Sequence, residues 1–448
     1  MAIDLTRGSI VKPMLLFTLP LTLGNLLQQL YNITDTAIVG RFVGSGALAA
    51  VGSAYSLMTF VTSIIIGLCL GSTSLFSLYY GQRDRERFGR TFSASFVIIA
   101  ALSLFLMAFC LIFNDWIVWI LNTPVEIEGM LTEYLMIIYI GLPATFISNF
   151  LSAVLRSTGE SRVPLIYFAV SVVLNIFLDL FYVLVLHEGV AGAAIATVIS
   201  QYVSAILLLL HTVLRNRSLY PTRTQMVLTR SDCADVIHYS FITCLQQSVM
   251  NFGILMVQGL VNSFGVSVMA AFAAGVKIDS FAYLPVQDFG NAYSVFVSQN
   301  RGAGKTDRIR RGTRSALIVT TVFALVLSLL VNIFSLPLLS IFMDAGETDI
   351  VAIGRGYLRL EGSFYAGIAI LFLLYGHFRA VGRPSVSLWL TVISLGTRVA
   401  VSYALAPVLG YWVIWLSVPV GWVLADAAGF LIYEYSRSKE AVPVEEKL

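Results

Sequence analysis

Charge and cysteine are what this sequence has least of. Only 12% of its 448 residues are Asp, Glu, Lys or Arg, about half the share of a soluble globular domain. The four cysteines, Cys69, Cys110, Cys233 and Cys244, form no CxxC and no Cys/His ligand spacing, which excludes a disulfide framework and a zinc module. The four histidines are scattered and have no ligand partner at a useful interval. There is no P-loop, nucleophile elbow or HExxH, so the expectation is a protein that is not an enzyme and carries no cofactor. The net charge of +3 is spread over short clusters between apolar runs, so nucleic acid is not an implied partner.

What is there is apolar sequence. The chain is 58% hydrophobic with a mean hydropathy of +0.84. Twelve segments are long enough to cross a hydrocarbon core of about 30 Å, each needing about 20 residues. They run approximately over 14–38, 47–78, 90–113, 131–154, 163–186, 190–214, 236–262, 268–297, 314–340, 356–378, 385–408 and 412–435. With the N-terminus inside, the outer side keeps only Arg41, Arg355 and Arg359, and only Lys277 and Arg398 fall within spans. The remaining cations are all on the inner side, so the positive-inside rule puts both termini in the cytoplasm of a multi-pass cell-membrane protein. Arg7 and Lys12 precede a first run of full spanning length, which reads as a signal anchor.

The two halves of the chain resemble each other at a spacing of 221 to 223 residues. LTR at Leu5 recurs at Leu228, FVGSGALAA at Phe42 recurs in outline at Ser263, and RSTGESRVPL at Arg156 matches RAVGRPSVSL at Arg379. Six crossings return the chain to the same side, so both copies share one orientation. The expected fold is an all-α polytopic membrane protein: twelve transmembrane helices in two six-helix lobes related by a pseudo-twofold axis along the membrane normal. Residues 1–215 form the first lobe, 216–230 a cytoplasmic linker, 231–436 the second lobe and 437–448 a cytoplasmic tail. A central cleft between the lobes, exposed alternately by rocking, is expected.

The stretch from Gln28 to Gly52, QQLYNITDTAIVGRFVGSGALAAVG, places Gln28, Tyr31, Asn32 and Asp35 on one helical face at i, i+3, i+4 and i+7. A carboxylate at membrane depth costs several kcal/mol on most scales and by default marks an ion, proton or substrate path. The competing reading is a structural Asp held by a neighbouring donor. The pattern D-x-x-x-V-G followed by G-x-x-A-L-A-A-V-G resembles the first helix and first outer loop of multidrug and toxic compound extrusion (MATE) transporters, and the resemblance runs over nearly the whole chain. It implies antiport of organic cations against protons or sodium.

Within that family the chain is similar to the DNA-damage-inducible protein F type branch. LNIFLDLF carries Asn175 and Asp179 one turn apart, and the sixth span carries Thr197. With Asp35 these match the branch's cation-coupling site, where sodium would also bind if sodium is the coupling ion. Helix rise agrees: Asp179 lies about 24 Å above an inner boundary near Val163, and Thr197 about 10 Å below an outer boundary near Val190. The oxygen ligands suit a hard cation or a shared proton, and two carboxylates in one site titrate as a unit. The repeat counterparts of Asp35, Asn175, Asp179 and Thr197 are Met256, Arg398, Ser402 and roughly Val420, so the site is expected in the first lobe only. Asp279, Asp288 and Glu361 leave a second-lobe contribution open.

Gln28, Tyr31, Asn32, Asn149, Gln247 and Asn251 are candidates for lining a substrate cleft, against the alternative that they join helices. Lys277 and Asp288 on the eighth span are expected to neutralise each other, and Arg398 to neutralise Glu361 or Asp426. The expected partners are membrane lipid and small organic cations, with a monomer as the working unit. A rival function is flipping of lipid-linked oligosaccharides, which calls for a more cationic cavity than Lys277 and Arg398 supply. A channel calls for a continuous pore.

Overall fold

The computed structural model describes residues 3–121, 123–342 and 348–441, with side chains as far as Arg437. Most of the expected tail, 442–448, lies outside the described residues. Among the described residues there is no strand, and the helices follow the apolar runs. They are α1 (Val11–Phe42), α2 (Ser45–Gln82), α3 (Arg85–Ile112), α4 (Asn114–Ile120), α5 (Val125–Ile140), α6 (Leu142–Ser157), α7 (Arg162–Leu180), α8 (Gly189–Arg215), α9 (Arg230–Asn262), α10 (Val266–Gly302), α11 (Thr306–Ile333), α12 (Ser335–Leu339), α13 (Thr348–Gly362), α14 (Tyr365–Ala380), α15 (Pro384–Leu409) and α16 (Trp412–Ala441). A π-helical turn, Phe181–Val185, extends α7.

Nine described helices are long and apolar enough to cross a membrane, and the pairs α5/α6 and α13/α14 each make one further bent crossing. The remaining span is α1, whose 32 residues exceed the required length. Its apolarity is diluted by Asn25, Gln28, Gln29, Asn32 and Asp35, the residues that make it informative. The fourth and tenth spans differ from the continuous helices expected: they bend by 43° and 49°. At the first break Pro143 sits in the opening turn of α6 and withholds a backbone donor. At the second, Ser363 and Phe364 interrupt the ladder and the Ser363 hydroxyl donates to the Arg359 carbonyl, 2.5 Å.

By packing, the chain forms two compact units, Met1–Ser248 with Ser298–Thr306, and Val249–Val297 with Asp307–Leu448. The division falls part-way along α9 because the first part of that helix is packed tightly onto α2. A Cβ on Gly67 would lie 2.7 Å from Cys244 Cα and one on Gly71 2.5 Å from Ser240 Cα, so both positions require glycine. Ser72 and Ser240 hydroxyls hydrogen-bond at 2.8 Å, a contact worth about 0.5–2 kcal/mol between membrane helices. The linker is docked rather than loose: Gln225 Nε2 donates to the Arg85 carbonyl at 3.2 Å, and Arg90 pairs with Asp232 at 3.5 Å.

The first unit also holds the chain's beginning in place, which no local pattern announces. Ile3 N donates to the Gly159 carbonyl at 2.9 Å, Asn300 Nδ2 to that of Leu5 at 3.1 Å, and Lys305 Nζ to that of Thr6 at 2.8 Å. The Leu5 side chain is fully buried.

Candidate ion-binding site

In the first unit α1 packs against α7 and α8, and this brings together residues far apart in sequence. Asp35 (8% exposed), Asn175 (1%), Asp179 (0%) and Thr197 (6%) are all buried. Asn175 Nδ2 donates to Asp179 Oδ1 at 3.4 Å and to Thr197 Oγ1 at 3.5 Å, and Thr197 Oγ1 shares a hydrogen bond with the Tyr31 hydroxyl at 3.0 Å. The carboxyls of Asp35 and Asp179 lie within hydrogen-bonding reach of each other. Asp35 Oδ1 and Asp179 Oδ2 are buried and receive no bond from any N–H or hydroxyl. No arginine or lysine acts on either carboxyl among the described residues.

Two carboxylate anions cannot hydrogen-bond to each other, since both are acceptors. The contact therefore requires a proton on one of them, or a cation in the proton's place. The Asn175 Oδ1 oxygen, also buried and unpartnered, adds a third acceptor. With the Thr197 hydroxyl the set is all oxygen, the chemistry of a hard monovalent or divalent ion rather than of zinc or copper. No group of three His, Cys, Asp or Glu that could hold a metal ion exists among the described residues. Tyr134 on α5 is a member that the sequence did not reveal: it is buried and close enough to interact electrostatically with Asp35, Asp179 and Tyr31. Nothing in EYLMIIYI separates it from an ordinary span tyrosine.

The second unit carries a different carboxyl pair. Asp279 on α10 accepts from Tyr357 at 2.5 Å and also from Tyr365, one hydroxyl from each side of the α13/α14 break. Glu361 accepts from Tyr283 at 2.6 Å, and Arg398 acts electrostatically on both carboxyls. Of the two partners expected for Arg398, Glu361 is the one found; Asp426 is not. The expected Lys277–Asp288 pairing is also absent, because Lys277 is exposed while Asp288 is 4% exposed. Eleven residues separate them, about 16 Å along a helix. At the repeat counterpart of Asp179, Ser402 hydrogen-bonds Ser417 at 2.8 Å.

The other cleft candidates are dispersed. Tyr31 joins the carboxyl cluster, Gln28 is exposed and Asn32 half-buried on α1. The Asn149 amide donates to the Thr145 carbonyl of its own helix at 2.9 Å. Gln247 is half-buried in the first unit and Asn251 half-buried in the second.

The MatE family model matches residues 20–181 and 240–404. A probable multidrug resistance protein of Bacillus subtilis (strain 168), YpnP, is 30% identical over 439 residues, 98% of each chain. A second from the same organism, YoeA, is 28% identical over 447 residues, 96% of this chain and 94% of its own. Among solved structures, the outward-facing conformation of a multidrug resistance MATE family transporter of the MOP superfamily superposes with a TM-score of 0.91 at 21% identity, covering 98% of this chain and 99% of that one. The fold is thus shared with that transporter, and, with most of its length matched by the family and a relative at 30% identity across 98% of it, the chain belongs to the MATE family of membrane transporters.

Proposed function

We propose that the protein is a secondary antiporter that exports organic cations from the cytoplasm in exchange for protons or sodium, by alternating access, as a monomer with both termini inside. The observation that carries this reading is the Asp35–Asp179 contact, which holds together only around a positive charge. Losing that charge leaves two buried anions on α1 and α7 that repel each other in a medium of low dielectric. Occupancy of the site is thereby tied to how α1 sits against α7. Asn175 and Thr197 hold the pair in register, and Tyr31 extends the network along α1.

Transport follows if the drug-binding affinity differs between the charged and discharged states, since a ligand that binds both equally shifts neither. An inward proton or sodium gradient loads the pair from outside, and discharge to the cytoplasm resets it. Oligosaccharide flipping fits less well, because the half-buried Arg398 acts on the carboxyls of Asp279 and Glu361 and one such cation is a poor surface for a pyrophosphate. The names of the relatives, multidrug resistance proteins, support the choice of drug-like substrates.

The test is substitution at the pair. Asp35→Asn and Asp179→Asn keep size but fix the neutral state; each is expected to reach the membrane and lose gradient-driven dye efflux. Full efflux by both in proteoliposomes at matched protein levels would remove the assignment and shift it to Asp279, Asp288 and Glu361.

A further inference from the structure

Asp426 is a buried acid of the second unit that none of the cations described above reaches. Asp426, on α16, is 8% exposed, and its Oδ1 is fully buried without a donor. Arg398 is engaged with Asp279 and Glu361, Arg379 donates to Asn291 at 3.0 Å, and Lys277 is exposed. None of these cations neutralises Asp426.

Its neighbours are rings instead. Trp422 lies one turn earlier on the same helix, and the Tyr283 ring stands edge-on to it, centroids 6.0 Å apart at 83°. Tyr375 on α14 is near enough to interact electrostatically with the Asp426 carboxyl. The facing position on α14 is Gly367. A Cβ there would lie 3.3 Å from Trp422 Cβ and 3.8 Å from Asp426 Oδ2, so α14 presents bare backbone to the indole and the carboxyl.

As packing, an acid is a poor choice for such a place, because a buried polar group without a partner is destabilising where a leucine is not. The arrangement makes sense for a ligand that brings its own positive charge. A single carboxylate among ring faces gives a bare metal ion too few oxygens. It gives an organic cation, whose charge is diffuse and whose body is apolar, both a counter-ion and ring quadrupoles. We propose that Asp426, beside Trp422 and Tyr375, is the contact for the positively charged end of an organic-cation substrate in the second unit, separate from the ion pair of the first. This rests on the efflux reading and names which residues meet the substrate.

The experiment is equilibrium binding of ethidium and of tetraphenylphosphonium to the full chain in lipid nanodiscs. Asp426→Asn is expected to weaken both by about tenfold or more, the loss of one charge contact. Asp426→Glu should stay within about threefold of the wild type on the same scale. Trp422→Leu should weaken binding less than Asp426→Asn does. Gly367→Leu, which covers the carboxyl without removing it, should match Asp426→Asn and serves if that variant does not fold. Wild-type binding by Asp426→Asn or by Gly367→Leu, with an unchanged melting temperature, overturns this inference alone. Failure of the wild type to bind or export either cation overturns the efflux reading and the contact with it.

Discussion

The two units each bury a pair of carboxyls, and they satisfy them in opposite ways. In the second unit Asp279 and Glu361 are tied down by three tyrosine hydroxyls and a nearby Arg398. In the first, no arginine or lysine acts on Asp35 or Asp179 among the described residues, and the Asn175 amide donates to Asp179. The second pair leaves one oxygen, Glu361 Oε2, without a hydrogen-bond partner but has a cation acting on both of its carboxyls. An uncompensated pair is complete only when a proton or cation arrives, and that incompleteness is what an ion-driven transporter needs. The repeat makes the contrast sharper: where α7 has Asp179, α15 has Ser402, which settles for a neutral bond to Ser417.

The comparison breaks first at Arg398, where the expected effect is largest. Arg398→Met leaves Asp279 and Glu361 buried without the nearby positive charge and is expected to lower the melting temperature by several degrees, because a buried carboxyl that loses its counter-charge is destabilising. The double variant Arg398→Met/Glu361→Gln should recover much of that loss in a melting experiment, as the two changes share one interaction. An Arg398→Met protein that melts with the wild type would mean that the second pair is not compensated and that the units do not differ.

A smaller effect is expected at Thr197. Thr197→Val removes a hydroxyl that bonds both Asn175 and Tyr31, a loss of about 1 kcal/mol and so roughly fivefold in ion affinity. Its counterpart on the other side of the comparison is Ser402→Ala, which should lower stability by a similar amount while leaving coupling unaltered. Equal effects of the two on the ion dependence of efflux would contradict a site confined to the first unit.

The smallest effects belong to the half-buried amides of α9. Gln247→Ala and Asn251→Ala, one in each unit, should change the relative resistance to different cationic drugs a few-fold, on the scale of single polar contacts, with ion coupling retained. Uniform loss for every drug at normal membrane levels would make both residues structural.

Much of the first-unit site was legible because helical periodicity puts Asp35 with Tyr31 and Asp179 with Asn175 before any tertiary information is used, and helix rise places them at similar depth. What was hidden depended on contacts between elements. Tyr134 enters the site from α5 without a pattern of its own, and Asp279 gains its tyrosines only because α13 and α14 are broken between Tyr357 and Tyr365. Those breaks sit inside continuous apolar runs, where hydropathy sees one span. The choice of Arg398 between Glu361 and Asp426, and the bond from Asn300 to the Leu5 carbonyl, are likewise decided by packing between elements, in the second case across nearly three hundred residues.

The most direct measurement is the infrared difference spectrum of the carboxyl stretching region when tetraphenylphosphonium is added to the transporter in lipid nanodiscs. If the first pair carries the exchangeable ion, substrate binding changes its carboxyl signal. That change should vanish in Asp35→Asn and in Asp179→Asn and persist in Glu361→Gln and Asp279→Asn. A signal that survives both first-unit substitutions and disappears with Glu361→Gln would contradict the account, and place the coupling ion in the second unit.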